Sequence, residues 1–583
     1  MFMTQIVFGI APTLLKTFSH LTALDLWRPS APYVFDPVTS STYLGTIADG
    51  VEEFLGIFYG QDTGGSNRFA PPKPYIPSRH SFINASTAGA ACPQPYVPLP
   101  ADPYTVLTNV SEDCLSLRIA RPENTKSTAK LPVMVWLYGG GASVGTAYDV
   151  SYNPVGLIQQ SVVNGSPVIY VAINYRVNLF GHAFSDALLK SKSTNLAMQD
   201  QRLGIEWIKN HISAFGGDPD NITLFGEDEG ATYIALHILS NHEVPFHRAI
   251  LQSGAAITHH DVNGNRSARN FAAVAARCNC LSDGDRQVDS QDTVDCLRRV
   301  PMEDLVNATF EVAHSVDPVN GFRAFMPAVD GYMIPDEPSN LLSRGQVPAN
   351  ISILAGWTRD ESSMSVPTSI RTAADAASFI STQFPLLNAS TIHHFLTSLY
   401  PESDFTTNSP SSPEKVTPAW RATSALHRDL TLTCPTIFQA WSLRLSSNCT
   451  TPVYLYELRQ SPFATALNNS GVGYLGIVHF SDVPYVFNEL ERTYYITDPE
   501  ENKLAQRMSA SWTAFASGAF PLCERSERSL GRWEEAYGGD RVCRDRMPEH
   551  VRVKGIGDNG DQDDGDEIGK LMARCGFINR LEY

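Results

Sequence analysis

Phe225 to Leu236 reads FGEDEGATYIAL. Two glycines, Gly226 and Gly230, bracket three residues and run into an apolar helical stretch. That spacing belongs to a sharp strand-to-helix turn which holds its central residue out for attack. The central residue is Asp228, where such turns usually carry serine. A serine hydroxyl attacks a carbonyl and leaves an acyl ester that water releases. A carboxylate attacking the same carbonyl would leave an anhydride, more reactive than the starting ester, so the step is uphill and readily reverses. At saturated carbon, in an epoxide or alkyl halide, a carboxylate is a competent nucleophile, and water can cleave the ester it forms. Glu227, Asp228 and Glu229 are consecutive. A helix N-terminus favours negative charge by roughly 0.3–1 kcal/mol. Three carboxylates in one pocket still repel, so at least one pKa should rise. Glu229 also sets a bulky acid beside a place meant for a developing negative charge, which it is expected to fill or repel. Aspartate starts helices well, so a purely structural role for Asp228 stands beside the chemical one.

The elements that must position this turn are legible around it. LPVMVWLY (Leu131–Tyr138) and SPVIYVAINY (Ser166–Tyr175) are apolar runs rich in strand formers. Leu196, Leu203, Ile205, Ile208 and Ile212 fall near a 3.6-residue period, which predicts a helix. NITLFGE is a third buried strand, ATYIALHILS a helix, and FHRAILQSGA a fourth strand. Strands alternating with helices predict an α/β fold with a large, mostly parallel sheet covered on both faces. Its functional loops should lie at the carboxyl ends of the strands. SNLLSRGQVPANISILAGW predicts a helix, loop and returning strand, and NCTTPVYLYEL a further strand. Residues 280–345 and 360–450 lean helical and read as insertions that roof the sheet.

Further segments narrow the family. FGGDPDNITLFGEDEG (Phe215–Gly230) resembles the active-site signature of type-B carboxylesterases, the family of cholinesterases and fungal lipases, apart from the serine and the small residue after it. SEDCLSLRIARP (Ser111–Pro122) is similar to the family's second signature, with departures at Ser116 and Arg118. GVEEFLGIFYG with RFAPPKP, VWLYGGG, NYRVNLFGH, MQDQRLGIEWI, LQSGA, GWTRDES and GIVHFSDVPYVF also resemble it, in family order. The resemblance spans roughly Gly45 to Trp533. It implies an α/β-hydrolase fold: residues 1–35 as signal or extension, then one domain over 36–583.

The resemblance also implies roles. Asp228 stands at the nucleophile position. Glu361, in TRDES, matches the family's catalytic glutamate, although Ser362 replaces the usual glycine. His479, in GIVHFSD, matches its histidine, and the order nucleophile, acid, histidine is that of the fold. A histidine titrates near neutrality and serves as base, and the glutamate fixes its tautomer. The peptide N–H groups of Gly140, Gly141 and Glu229 would form the oxyanion hole. Ser143 and Ser253 are weaker candidates for a replacement nucleophile. No cofactor or metal is implied.

The chain has 583 residues, 43% apolar, with a net charge of −17 and a pI near 5.3. The acidity argues against a nucleic-acid partner. The ten cysteines contain no CxxC pair. Their spacing suggests disulfides Cys92–Cys114 and Cys278–Cys296, with Cys280 competing with Cys278, and Cys434–Cys449 weaker. The pairing of Cys523, Cys543 and Cys575 stays open. Ten Asn-x-Ser/Thr sequons, from Asn84 to Asn468, fit passage through an oxidising, glycosylating compartment. The apolar run Ile6–Leu15 has the length of a signal segment, without a basic flank. No later run reaches the roughly 20 apolar residues of a membrane span. The acidic stretch Asp558–Gly569 reads as a solvated loop whose spacing does not fit an EF-hand.

Three functions are open on these residues. One is a hydrolase acting on a small-molecule carboxylic ester or related electrophile through an altered centre. A second is a non-hydrolytic catalyst of elimination, cyclisation or epoxide opening. A third is a noncatalytic secreted protein that binds a ligand or partner through the old pocket. The oligomeric state is not read from the sequence.

Overall fold

The computed structural model describes residues 31–581 apart from 96–106, 108, 241–242, 244, 258–261, 282–289, 317–321, 346, 348–349, 407–415, 495, 519, 522–527, 539–550 and 558–564. The apolar run Ile6–Leu15, most of the acidic stretch from Asp558, and Cys523 and Cys543 lie outside the described residues.

Thirteen strands are described in chain order. They are β1 (Tyr33–Asp36), β2 (Ser41–Leu44), β3 (Thr46–Ala48), β4 (Val51–Phe58), β5 (Phe82–Asn84), β6 (Ser116–Pro122) and β7 (Leu131–Leu137). Then follow β8 (Ile169–Ile173), β9 (Gly217–Glu227), β10 (Arg248–Gln252), β11 (Ser352–Thr358), β12 (Val453–Leu458) and β13 (Lys554–Ile556). A small three-stranded sheet has the order β1-β2-β5, and the large ten-stranded sheet the order β13-β12-β11-β10-β9-β7-β8-β6-β4-β3. From β8 to β13 the pairing is parallel. β6, β4 and β3 add an antiparallel edge. The fold is therefore the mostly parallel α/β architecture that the strand–helix alternation predicts.

Burial explains the apolar runs. Every residue of β8 is buried, and β9 is buried from Ile222 to Glu227. A strand covered on both faces needs no polar alternation. The register then aligns the strand ends that matter. Leu137 pairs with Gly226, and Gln252 pairs with both Glu227 and Gly356. The loops after β7, β9, β10 and β11 consequently open side by side at one edge of the sheet. Trp136, in β7, packs edge-on against Phe225 at 4.8 Å and Phe487 at 5.1 Å. Phe487 ends the short helix Val483–Phe487, so this aromatic cluster ties the segment carrying His479 down onto the central strands.

The helix Glu229–Leu239 lies flat against β7. A Cβ on Gly230 would sit 2.0 Å from the Leu137 carbonyl oxygen, so only glycine permits this approach. Helices Gln291–Arg299, Met302–Val316, Ala373–Gln383, Pro418–Arg428 and Cys434–Ser446 occupy the regions read as insertions.

Two disulfides correct the sequence expectation. Cys92–Cys114 forms, but Cys296 bonds to Cys280 and leaves Cys278 as a free thiol. The helix Asn265–Arg277 is capped at Cys278, and Asn279 takes a positive φ of 54°. That left-handed residue reverses the chain and carries Cys280, not Cys278, towards Cys296. Cys434 pairs with Cys575, 141 residues away, instead of Cys449. The helix Cys434–Ser446 packs on the helix Gly565–Ile578, which brings the two thiols together. Cys449 is itself disulfide-bonded.

Candidate active site

Asp228 sits where β9 gives way to the helix, at φ 56° and ψ −124°. A non-glycine residue with that positive φ carries strain of order 1–3 kcal/mol. The turn is held by the Asp228 N–H donating to the Gln252 carbonyl at 3.0 Å and by the Thr232 N–H donating to the Asp228 carbonyl at 3.0 Å. The side chain is thereby lifted above the carboxyl ends of the strands.

Its carboxylate does not point freely outward. Oδ2 accepts from the Gly140 N–H at 2.9 Å and the Gly141 N–H at 2.8 Å. The Glu229 N–H bonds the same carboxylate. Gly140 and Gly141 have φ of 99° and 58°, a loop conformation that glycine adopts without strain and that turns both amides inward. Asp228 thus sets its own oxygen among the three N–H groups expected to receive a substrate oxyanion. The Glu229 side chain, expected to fill that place, instead lies buried beside Tyr175 and Tyr233.

Asp228 Oδ1 faces His479, 3.7 Å from Nε2. The other ring nitrogen, Nδ1, is bonded to Glu361 Oε1. Glu361 is in turn fixed through Oε2, which accepts from the Thr358 N–H and hydroxyl, both at 2.8 Å, and from the Ser253 hydroxyl at 3.0 Å. Glu361 follows β11, and His479 lies on the short stretch just before the helix Val483–Phe487, after the helix Ala464–Asn469 that follows β12. The structure therefore brings Asp228, His479, Glu361, Gly140, Gly141 and the Glu229 amide to one place. Ser253 holds the glutamate and is not aimed at a substrate. Ser143 is buried and donates to the Gly141 carbonyl at 3.2 Å, so neither serine is positioned as a nucleophile.

Two residues at the site carried no assigned role in the sequence. Glu227 Oε1 lies 2.9 Å from His479 Nε2 with its side chain 1% exposed. An ionisable residue ending a buried apolar strand was the signal that could have singled it out. His427 is buried, and its Nδ1 lies 2.9 Å from the Ser362 hydroxyl. That contact occupies the serine that departs from the family glycine. Nothing in the sequence pairs positions 65 apart.

The charges settle in a definite pattern. Burial pushes the Glu227 carboxyl up to about 8, despite the pull of His479. Burial works against the charge on Asp228, but His479, Arg323 and the surrounding N–H groups outweigh it and hold the pKa below the usual range. Glu361 is lowered likewise, with His479 and Thr358 overcoming its burial. His479 loses from burial and gains more from Glu227 and Glu361, so its pKa stands well above that of free histidine. The resting pair at neutral pH is an aspartate carboxylate facing an imidazolium. His427 is driven down to about 3 by burial and the charge of Arg323, and is neutral. The imidazolium is 28% exposed and Asp228 15% exposed, so the pair is reachable from solvent.

That arrangement is unsuited to serine-type acyl transfer, which needs a neutral histidine and an empty oxyanion hole. It is suited to displacement at carbon. One carboxylate oxygen is anchored by N–H donors, the other is free, and a proton donor stands beside it.

A family description, the carboxylesterase family, matches residues 40–542. A secreted lipase of Arthroderma benhamiae is 32% identical over 580 residues, covering 96% of this chain and 97% of that protein. Secreted lipase 1 of Botryotinia fuckeliana is 28% identical, covering 84% and 89%. Lipase 1 of Geotrichum candidum is 30% identical, covering 81% and 86%.

Proposed function

The chain belongs to the carboxylesterase family, and on that premise we propose that it is a secreted hydrolase for an apolar electrophile related to esters, an epoxide above all, which it opens at saturated carbon through Asp228. The observation that carries this is the split carboxylate, with Oδ2 held by Gly140 and Gly141 and Oδ1 turned to His479.

The cycle follows from those atoms. Asp228 Oδ1 attacks the epoxide carbon. The C–Oδ1 bond forms as the ring C–O bond breaks, and the alkoxide takes the Nε2 proton of His479. Neutral His479 then accepts a proton from water as that water adds to the Asp228 carbonyl carbon. The oxyanion that develops is Oδ2, which already sits among its N–H donors, so no reorganisation is needed at the moment of reaction. Collapse expels the product alkoxide, which takes the proton of the new carboxylic acid. The sum is epoxide plus water to diol, with Asp228 and the imidazolium restored. Glu361 holds the ring by Nδ1 throughout.

Secretion is supported by the three described disulfides and the sequons. The secreted lipases among the relatives support it too. Among the described residues no helix is long and apolar enough to cross a membrane. The lipase relatives also support an apolar substrate.

The test is diol formation from a terminal aryl epoxide by the wild type beside Asp228→Asn and His479→Ala. Turnover lost in both variants supports the reading, and a wild type no faster than His479→Ala refutes it. One observation favours a second reading: Asp228 occupies the hole and His479 lies against Glu227, as in an idle site. A noncatalytic binder would show no labelled Asp228 with any reactive epoxide.

A further inference from the structure

We infer that Glu227, Asp228 and His479 form a binding site for one divalent transition-metal ion, zinc by the character of the donors. The inference stands apart from the epoxide reading, because a metal can bind whether or not Asp228 attacks carbon.

One ligand atom from each of these residues lies within 4.8 Å of the other two. His479 Nε2 is 2.9 Å from Glu227 Oε1 and 3.7 Å from Asp228 Oδ1. Two nitrogen or oxygen ligands of a tetrahedral zinc ion, each at about 2.0–2.2 Å, stand about 3.3 Å apart. The two distances bracket that value, so a small rotation of the Glu227 and Asp228 carboxyl groups would complete three coordination positions. Imidazole with carboxylates suits zinc, whereas magnesium and calcium favour oxygen alone.

Independent features prepare each ligand. Glu227 Oε1 is buried, and no donor hydrogen points at it with hydrogen-bond geometry, so its lone pairs are left facing the cluster. The imidazole Nδ1 is engaged by Glu361, which aims Nε2 towards the same point, where its lone pair is offered once the Nε2 proton is displaced. Metal-ligating histidines almost always have such an outer carboxylate. Asp228 is anchored by Oδ2 and can offer Oδ1 alone. The partly exposed faces of His479 and Asp228 leave a fourth position for water.

Charge points the same way. Three carboxylates, Glu227, Asp228 and Glu361, surround one imidazole. Around the cluster stand Arg323, the neutral His427, the buried Asp482 behind Glu227, Tyr456 against Glu227 and Glu361, and Tyr233 with Glu229 beside Asp228. Protons or a dication can balance that excess, and the two compete for the same atoms. Metal affinity therefore rises with pH. A bound ion takes both Oδ1 and the Nε2 lone pair, so zinc would silence whatever chemistry the metal-free site performs.

The experiment is calorimetric titration of zinc chloride into the intact, chelator-treated protein at pH 8 and pH 5.5, with Glu227→Gln, His479→Ala and Asp228→Ser alongside. The expected result is one ion per chain at pH 8. At least about tenfold weaker binding is expected at pH 5.5 and in each variant. A zinc-dependent rise in melting temperature should appear in the wild type only. Circular dichroism and the metal-free melt establish that each variant is folded. No binding, or affinity unchanged by both Glu227→Gln and Asp228→Ser in folded protein, overturns the inference. Because no substrate enters the measurement, a failed epoxide assay leaves its outcome unaffected.

Discussion

Asp228 Oδ2 lies 2.8 Å from the Gly141 amide nitrogen, in the place that the family resemblance assigns to a substrate oxyanion. The aspartate is therefore both a poor acyl nucleophile and a plug. It mimics the charge that the hole stabilises, which is why the hole accepts it.

Removing the plug should release ordinary esterase chemistry. In Asp228→Ser the Gly140, Gly141 and Glu229 N–H groups are freed, and a hydroxyl replaces the carboxylate beside His479. Loss of a neighbouring carboxylate also eases His479 towards its neutral form. Each oxyanion donor is typically worth about 10²–10³ in rate. The variant should hydrolyse a short-chain p-nitrophenyl ester at least about 100-fold faster than wild type. The double variant Asp228→Ser with His479→Ala is the blank. A serine variant no faster than that blank would show that the hole is not competent.

Heavy-oxygen water distinguishes attack by Asp228 from direct attack by water. In a single turnover on an epoxide, the cleavage water enters the Asp228 carboxyl group and the product keeps the original aspartate oxygen. Mass analysis of the peptide carrying Phe225–Leu236 should then show the label on Asp228. Label in the diol alone, from the first turnover, would mean that no ester to Asp228 forms.

Much of this site was legible because strand and turn chemistry is local. The apolar runs of β7, β8 and β9 and the glycines around Asp228 fix an α/β sheet and its exposed turn without reference to distant residues. Glu361 and His479 were legible only through family motifs, since a lone histidine has no local signature of its role. What stayed hidden depends on side-chain direction and long-range packing. The fold of Asp228 back onto Gly140 and Gly141 joins positions 88 and 87 apart. The contact of Glu227 with His479 joins strand end to distant loop. Cys434 finds Cys575 because two helices pack, and Cys280 displaces Cys278 because Asn279 turns left-handed.

The disulfides are directly checkable. A nonreducing peptide map should join Cys92 to Cys114, Cys280 to Cys296 and Cys434 to Cys575, and should find Cys278 alkylated. The Cys434–Cys575 bridge closes the longest loop of the three. Chain entropy then ranks it as the most stabilising, up to about 5 kcal/mol. Cys575→Ser should lower the melting temperature more than Cys296→Ser.

Ser253 offers a test of Glu361 positioning. Its hydroxyl is one of three donors to Oε2, and a hydrogen bond to a charged group contributes about 1.5–3 kcal/mol. Ser253→Ala should loosen the glutamate, lower the pKa of His479 and cut kcat about tenfold with little change in KM. Ser253→Thr, which keeps the hydroxyl, should restore most of the rate. An alanine variant with wild-type kcat and pH profile would reduce Ser253 to a packing residue.

Glu227 links the site to stability. Its folded pKa is raised to about 8 from an ordinary value of 4.5. A group raised on folding contributes stability that is complete below the unfolded pKa and is lost as pH climbs through the folded one. For Glu227 the window runs from about pH 4.5 to about pH 8. Asp228 and Glu361 are lowered on folding, so their contributions have the opposite sign and fade only in acid, below the ordinary carboxylate range. His479 is raised, so its contribution, like that of Glu227, declines towards alkaline pH. Glu227→Gln removes one of these terms and leaves the fold of β9 intact, since glutamine has the same shape. The variant should melt close to wild type at pH 4.5 and above it by at least ~2 °C at pH 9. A melting difference that stays constant across that range would mean that Glu227 does not carry a raised pKa in the folded protein.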